Sequence, residues 1–120
     1  MFFIINTLTQ EELKKKSGHW VVFFVDQENK TAGTYDPQPG GKSEQLQEIA
    51  KKIPLLIDDG YKYKIKQNLI LRQPVESYDC GLFCVLFILR YLLTQDYKFS
   101  SMYKDPEKNQ ELINSFKFPI

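Results

Sequence analysis

One run of apolar residues limits the folds open to this chain more than any other feature. From Cys80 to Leu93 almost every residue is apolar, and Arg90 is the exception. A run of this length suits a helix, and a helix that is apolar on every side has to be surrounded by protein. We therefore expect a central helix with the rest of the chain packed around it.

The composition fits one compact domain over residues 1–120. Of the 120 residues, 42% are hydrophobic and 14% aromatic, which suits a single domain with a real core. The formal net charge of +1 lacks the positive excess typical of dedicated nucleic-acid binders.

The cysteines and the first residues of the chain favour an intracellular location. Cys80 and Cys84 lie too close in sequence to build a disulfide framework. The apolar start from Met1 to Asn6 is too short for a signal peptide, and no run approaches membrane-spanning length. We expect an intracellular, soluble protein with no membrane partner.

Short patterned segments before the central helix predict strands. Phe2 to Asn6 is an apolar run that predicts a buried strand, and Thr9 to Lys16 has the capping-box spacing of a short helix. Trp20 to Val25 is β-branched and aromatic throughout, which favours a strand buried on both faces, and Thr31 to Tyr35 returns as a second strand.

An amphipathic surface helix follows these strands. Ser43 can act as its N-cap and Pro54 stops it. Its apolar face consists of Leu46, Ile49, Ala50 and Ile53.

Patterns on either side of the central helix complete the predicted fold. Tyr61 to Lys66 alternates with period two, so its lysines should face solvent while Tyr61, Tyr63 and Ile65 face the body. Asn68 to Arg72 is a candidate for a further short strand. Asp105 and Pro106 begin a last helix, whose buried stripe is predicted to be Leu112, Ile113 and Phe116. The fold class is α+β: a small mixed, mainly antiparallel sheet packed around a central apolar helix.

The only histidine has a carboxylate within reach. A symmetric hairpin centred between Gln27 and Glu28 would pair His19 directly with Asp36 on the neighbouring strand. An imidazole oriented by a carboxylate keeps one tautomer and is stabilised when protonated, as a base that serves a nucleophile requires.

Cys80 is the candidate nucleophile. Asp79 is a good N-cap, which places Cys80 in the first helical turn, where the macrodipole favours a thiolate. Gln73 is close enough upstream for its amide to join the Cys80 backbone N–H in an oxyanion hole. Gly81 leaves room for a substrate backbone, and Cys84 is interpreted as core packing.

These residues together resemble a known protease family. The order His19-Trp20, Asp36, Gln73 and Asp79-Cys80-Gly81 is similar to the adenain-like cysteine proteases, typified by the adenovirus endopeptidase, and to the wider group that includes SUMO and ubiquitin-like-specific proteases. The run Cys80-Gly81-Leu82-Phe83-Cys84, and the run Asn109-Gln110-Glu111-Leu112 near the C terminus, resemble the adenovirus type.

The resemblance implies a permuted papain-like fold and a role for each matching residue. His19 would be the general base and acid, Asp36 its orienting partner, Gln73 the oxyanion donor and Cys80 the nucleophile, with Trp20 flanking the site. The substrate would be a protein or peptide cut near small residues such as glycine, in virus-like precursor processing. The sequence itself requires no cofactor, and the resemblance implies DNA or an activating peptide as a candidate one.

This chain departs from the family pattern in two places. The adenovirus type usually has Glu where this chain has Asp36, and only 18 residues precede His19, so the resemblance implies a domain without the family's additional N-terminal helical elements.

Three alternatives stay open at this point. One is a deconjugase of ubiquitin-like proteins, and another is an inactive protease-like module that binds protein or, weakly, DNA. A zinc site at His19, Cys80 and Cys84 is the competing chemistry, but the ligand spacing matches no common zinc pattern. We therefore expect no metal.

Overall fold

The protein forms a four-stranded sheet with helices on both sides. The structure is a computed structural model that describes residues 1–7 and 19–117. The strands are β1 (Phe2–Asn6), β2 (Trp20–Asp26), β3 (Thr31–Tyr35) and β4 (Lys64–Gln67). The helices are α1 (Ser43–Lys52), α2 (Cys80–Thr94), α3 (Tyr97–Ser100) and α4 (Pro106–Asn114), with a 3₁₀ turn over Ile53–Leu56.

The sheet is mixed and mainly antiparallel, so the predicted α+β class is confirmed. Its order is β1-β2-β3-β4, with antiparallel pairs between the first three strands and a parallel pair between β3 and β4. The parallel pair depends on Gly33, because a β-carbon at this position would overlap the Lys66 carbonyl oxygen.

Strand β2 is buried on both faces, as its sequence predicts. On one face, Val22 and Phe24 pack with residues of α2 in the main core. On the other face, Val21 and Phe23 pack against Leu46 and Ala50 of α1. The main core also stacks the rings of Tyr35 and Phe87, whose centroids are 4.4 Å apart. This packing fixes the ends of β2 and β3 against the start of α2.

Two expectations about burial are wrong. Strand β1 is at the edge of the sheet. Phe2 packs against α2, but Phe3, Ile4 and Ile5 are exposed. Helix α2 is also not surrounded on every side. Its outer face leaves apolar side chains exposed, namely Leu82, Val85, Leu89, Leu92 and Leu93.

Helix α1 and the segment after it differ from prediction in detail. Ser43 is the first helical residue instead of the N-cap, which is Lys42, and Ile49 is exposed. The α-helix ends at Lys52, shortly before Pro54 as predicted, and a 3₁₀ turn then continues through Pro54. Tyr61 faces solvent against the Lys30 ammonium, whereas Tyr63 is buried as predicted.

The last helix is mostly as expected. Asp105 accepts a hydrogen bond from the Glu107 backbone N–H at 3.0 Å, with Pro106 in the first turn. Ile113 is buried, but Phe116 is exposed because it lies beyond the helix end.

Other expectations have different outcomes. No strand forms from Asn68 to Arg72, and the helix predicted from Thr9 to Lys16 lies outside the described residues. Within residues 1–7 and 19–117, no helix is long and apolar enough to cross a membrane.

Candidate active site

Three predicted site residues meet where β2, β3 and α2 come together. His19 directly precedes β2, Asp36 directly follows β3, and Cys80 is the first residue of α2. Asp36 Oδ1 lies 2.8 Å from His19 Nε2, and His19 Nδ1 lies 3.6 Å from Cys80 Sγ. The carboxylate, the imidazole and the thiol therefore form one continuous chain of polar contacts.

The contact between His19 and Asp36 comes from a register other than the predicted one. In the hairpin, Val22 pairs with Tyr35 and Asp26 pairs with Thr31, so Asp36 falls two residues away from the position opposite His19. The turn covers residues 27–30 instead of the predicted 26–29, and Lys30 ends it in a left-handed conformation with φ of 52°. A shift of two residues preserves the face of each side chain, and His19 reaches Asp36 diagonally.

The surroundings of His19 favour its protonated form. The hydrogen bond with Asp36 and then the contact with Cys80 raise the pKa of His19 to about 10, against the opposing effect of partial burial. The imidazole is therefore protonated across the neutral range, and its charge lies between a carboxylate and a thiol. A cation in this place stabilises a thiolate.

Asp36 is itself fixed from two directions. Its backbone N–H donates to Asn68 Oδ1 at 2.9 Å, and its carbonyl accepts from Asn68 Nδ2 at 2.5 Å. Its carboxylate also accepts the Gln38 backbone N–H at 2.9 Å. Sequence reasoning missed Asn68, because a single buried amide in a loop carries no local pattern.

Asp79 does not act as the predicted side-chain cap of α2. It occupies the N-cap position, but its carboxylate makes no capping bond and instead accepts from Gln110 Nε2 and Lys117 Nζ, each at 2.7 Å. Partial burial opposes ionisation, yet the Lys117 ammonium and the Gln110 amide outweigh it and hold the pKa of Asp79 below its usual value. The start of α2 is thus tied to the end of α4.

Gln73 is fully buried beside the start of α2. Its Nε2 donates to the Ser77 carbonyl at 3.0 Å and lies 3.1 Å from the Ser77 hydroxyl. Its Oε1 has no hydrogen-bond partner among the described residues. The amide that makes a direct contact with the nucleophile belongs to Gln38, which sequence reasoning missed: its Oε1 lies 3.8 Å from Cys80 Sγ.

The second cysteine has a different environment from the first. Cys84 lies one turn further along α2, fully buried, and its thiol donates to the Trp20 carbonyl at 3.3 Å. Burial above all, and then the negative charges of Cys80 and Asp36, raise the pKa of Cys84 far above its usual value. Cys84 is therefore a core residue, as predicted.

Trp20 and Gly81 border the site. Trp20 follows His19 and is 38% exposed, so its ring is available to a ligand. A β-carbon at Gly81 would meet no atom within 4 Å. Open space therefore lies beside the first turn of α2.

The arrangement suits nucleophilic chemistry better than metal binding. Groups of three or more His, Cys, Asp or Glu side chains that could hold a metal ion do not occur in the part of the chain that the structure describes. A thiol, an imidazole and a carboxylate in this order are the parts of a covalent hydrolase.

The family follows from a match over nearly the whole chain. A model of the Ulp1 protease family, C-terminal catalytic domain, matches residues 2–114. The chain belongs to the Ulp1 protease family. The match is to the catalytic domain of this family, and the resemblance to the group that includes SUMO and ubiquitin-like-specific proteases is confirmed.

Two solved structures share the fold of this chain. ChlaDub1 from Chlamydia trachomatis superposes with a TM-score of 0.68 at 18% identity, covering 97% of this chain and 57% of that chain. ASFV pS273R protease superposes with a TM-score of 0.61 at 18% identity, covering 99% of this chain and 43% of that chain. This Ulp1-family domain therefore spans about half the length of the solved structures that it matches. No curated protein matches the chain.

Proposed function

We propose that this Ulp1-family chain hydrolyses peptide bonds with Cys80 as nucleophile, His19 as general base and acid, and Asp36 as the residue that orients His19. The observation that carries the proposal is the unbroken contact from Asp36 Oδ1 to His19 Nε2 at 2.8 Å and from His19 Nδ1 to Cys80 Sγ at 3.6 Å. Each ring nitrogen has one defined partner, so the imidazole is already oriented for proton transfer.

The reaction would run in two stages. In the first, the Cys80 thiolate attacks the carbonyl carbon of the scissile bond, and the carbonyl electron pair moves onto oxygen. As the tetrahedral intermediate collapses, the C–N bond breaks and protonated His19 donates its proton to the leaving amine. In the second, His19 takes a proton from water, the resulting hydroxide attacks the thioester, and the Cys80 thiolate leaves.

Two donors would hold the oxyanion. The Cys80 backbone N–H lies in the first turn of α2, where helical N–H groups have no intrahelical acceptor. Gln73 would supply the second donor by turning one of its two N–H groups from the Ser77 hydroxyl to the oxyanion, while the other stays on the Ser77 carbonyl.

We propose a protein substrate with a small residue, such as glycine, at the cleavage position. The open space beside Gly81 and the exposed ring of Trp20 support a narrow substrate backbone next to the thiol. Processing of viral or virus-like precursors is the first candidate. The match to the Ulp1 family favours deconjugation of a ubiquitin-like protein as the second.

A fluorogenic peptide that ends in Gly-Gly tests the reaction. We expect hydrolysis by the full chain and none by Cys80→Ala. Undiminished hydrolysis by Cys80→Ala would show that the activity comes from another residue or from a contaminant. In parallel, iodoacetamide should modify Cys80 much faster than Cys84 below pH 8, and the rate at Cys80 should fall in His19→Ala.

Folded substrates separate the two candidate substrate classes. A deconjugase should cleave a fusion of a folded ubiquitin-like protein faster than the short Gly-Gly peptide, whereas a precursor protease should prefer extended peptides. The same assay with added duplex DNA or an activating peptide tests whether the chain uses either as a cofactor. Salt-sensitive DNA binding without hydrolysis in any of these assays would favour a binding module.

A further inference from the structure

Gln38 makes contacts with each part of the site. Its backbone N–H donates to Asp36 Oδ1 at 2.9 Å, and the same oxygen binds His19. Gln38 lies between Pro37 and Pro39, whose rings fix their own φ and restrict the residue before each of them. The backbone at Gln38 is therefore held in place before any substrate binds.

The side chain of Gln38 crosses from the acid to the segment that follows Gln73. Its Nε2 donates to the Pro74 carbonyl at 2.7 Å and lies 3.4 Å from the Ser77 carbonyl. The Ser77 carbonyl is also the acceptor for Gln73 Nε2. Two glutamine amides thus converge on one short segment beside the proposed oxyanion hole.

The other end of the same amide faces the nucleophile. Gln38 Oε1 lies 3.8 Å from Cys80 Sγ, within reach of a hydrogen bond from a thiol. A carbonyl oxygen can accept a hydrogen bond from a neutral thiol but repels a thiolate. The orientation of the amide is fixed by its other end, because Nε2 has to face the Pro74 carbonyl.

We propose that Gln38 is a positioning residue of this site, which holds the Pro74 to Ser77 segment in place and favours the neutral thiol of Cys80, against the opposite effect of His19, before substrate binds. The part about catalysis rests on the proposed peptidase function, whereas the contact with the thiol does not. Among the described residues, the titratable groups that interact with the thiol or with its histidine include His19, Asp36 and Cys84, and Asp79 directly precedes Cys80 in sequence; the substitutions below leave all four unchanged.

Two substitutions separate the two ends of the amide. Gln38→Met keeps the length of the side chain but removes both donor and acceptor, and Gln38→Glu keeps an acceptor, removes the donor and adds a negative charge. Gln45→Ala is the matched control, because Gln45 is an exposed glutamine on α1. Thermal unfolding shows whether each variant is folded.

The first measurement is the pH at which alkylation of Cys80 by iodoacetamide is half maximal. Gln38→Met should shift it down by about 0.3 pH units, because the neutral thiol loses a weak hydrogen bond. Gln38→Glu should shift it up by at least about 0.5 pH units, because a carboxylate near the sulfur opposes ionisation. Identical midpoints in both variants and Gln45→Ala, or shifts of the same sign, would overturn the proposal.

The second measurement is peptide hydrolysis. Both Gln38 variants should lower kcat about tenfold with KM within twofold of wild type, because each loses the bond to the Pro74 carbonyl and neither removes a substrate contact. An unchanged kcat would overturn the positioning role. If the wild-type chain cleaves no peptide, the proposed function fails, and the alkylation midpoints still decide whether Gln38 controls the thiol.

Discussion

The two faces of helix α2 are both apolar but differ in what they contact. The inner face carries Cys80, Phe83, Cys84, Phe87 and Tyr91, all buried against β2, β3 and the segments that follow α2. This face holds the proposed nucleophile and most of the main core. Its residues are fixed by neighbours on every side, so a change in one of them is felt by the others.

The outer face repeats the same chemistry without the same contacts. Leu82, Val85, Leu89 and Leu92 are exposed at spacings of three and four, and Leu93 is 85% exposed. The difference teaches that apolar composition alone does not determine which side of a helix is buried, because the neighbouring elements determine it. The stability and the chemistry of this domain should therefore depend on the inner face far more than on the outer one.

The largest expected effect is the difference in activity between variants of the two inner-face cysteines. Cys80→Ala should lower peptide hydrolysis by at least about 10⁴-fold, because it removes the attacking atom. Cys84→Ala should leave the rate within about threefold, since this thiol contacts a strand carbonyl and no reacting group. Hydrolysis rates of both variants, normalised to folded protein, check the pair. Equal losses would mean that inner-face packing, and not the position of Cys80, controls activity.

The next effect is on folding stability. Phe87→Ala should lower the free energy of unfolding by about 3–5 kcal/mol, because it empties the centre of the main core. The matched outer-face change, Leu89→Ala, should cost less than about 1 kcal/mol. Urea denaturation of both variants measures the difference. A cost for Leu89→Ala close to that for Phe87→Ala would show that the outer face is covered in solution.

Folding stability should depend on pH through the His19–Asp36 pair, which lies beside the inner face of α2. Because the pKa of His19 is raised to about 10 in the folded chain, its contribution to stability is complete below about pH 6.5 and is lost as pH rises through 10. Asp36→Asn should therefore destabilise the chain by about 1–2 kcal/mol at pH 6, after allowance for solvent screening, and by less at pH 10. Denaturation across this range checks the trend, and Leu89→Ala should show no such dependence.

The smallest effect on folding, with a separate effect on catalysis, is expected at Gly81. Its β-carbon direction points into open space, so Gly81→Ala should leave stability unchanged or raise it by up to about 1 kcal/mol. Peptide hydrolysis should fall on the order of tenfold if a substrate backbone occupies this space. Unfolding curves and kinetics on the same sample separate the two results. Full activity would move the substrate path away from the first turn of α2.

Local patterns were sufficient to predict the main elements and the meeting of the catalytic candidates. The β-branched run from Trp20 to Val25 and the apolar run from Cys80 produced the expected strand and helix. The proximity of His19 and Asp36 was predicted correctly although the register was not, because a shift of two residues keeps both side chains on one face.

Features that depend on distant segments could not be predicted in this way. The carboxylate of Asp79 has the spacing of a cap, but an amide and an ammonium from α4 and the residues after it compete for the carboxylate. In the sequence, Gln38 is a loop residue between two prolines, and its role depends on the Pro74 carbonyl, which is distant in sequence. Burial of one face of α2 depends on which strands reach it, and no periodicity in an all-apolar run contains that information.

The bond between Asp79 and Lys117 sets an order of events during synthesis on the ribosome. The chain emerges from its N terminus, so the strands and the segment bearing Cys80 are available before α4 exists. Asp79 cannot gain its partners until Gln110 and Lys117 have been made. The start of the helix that carries the thiol therefore gains these two contacts only after the segment from Gln110 to Lys117 has been made.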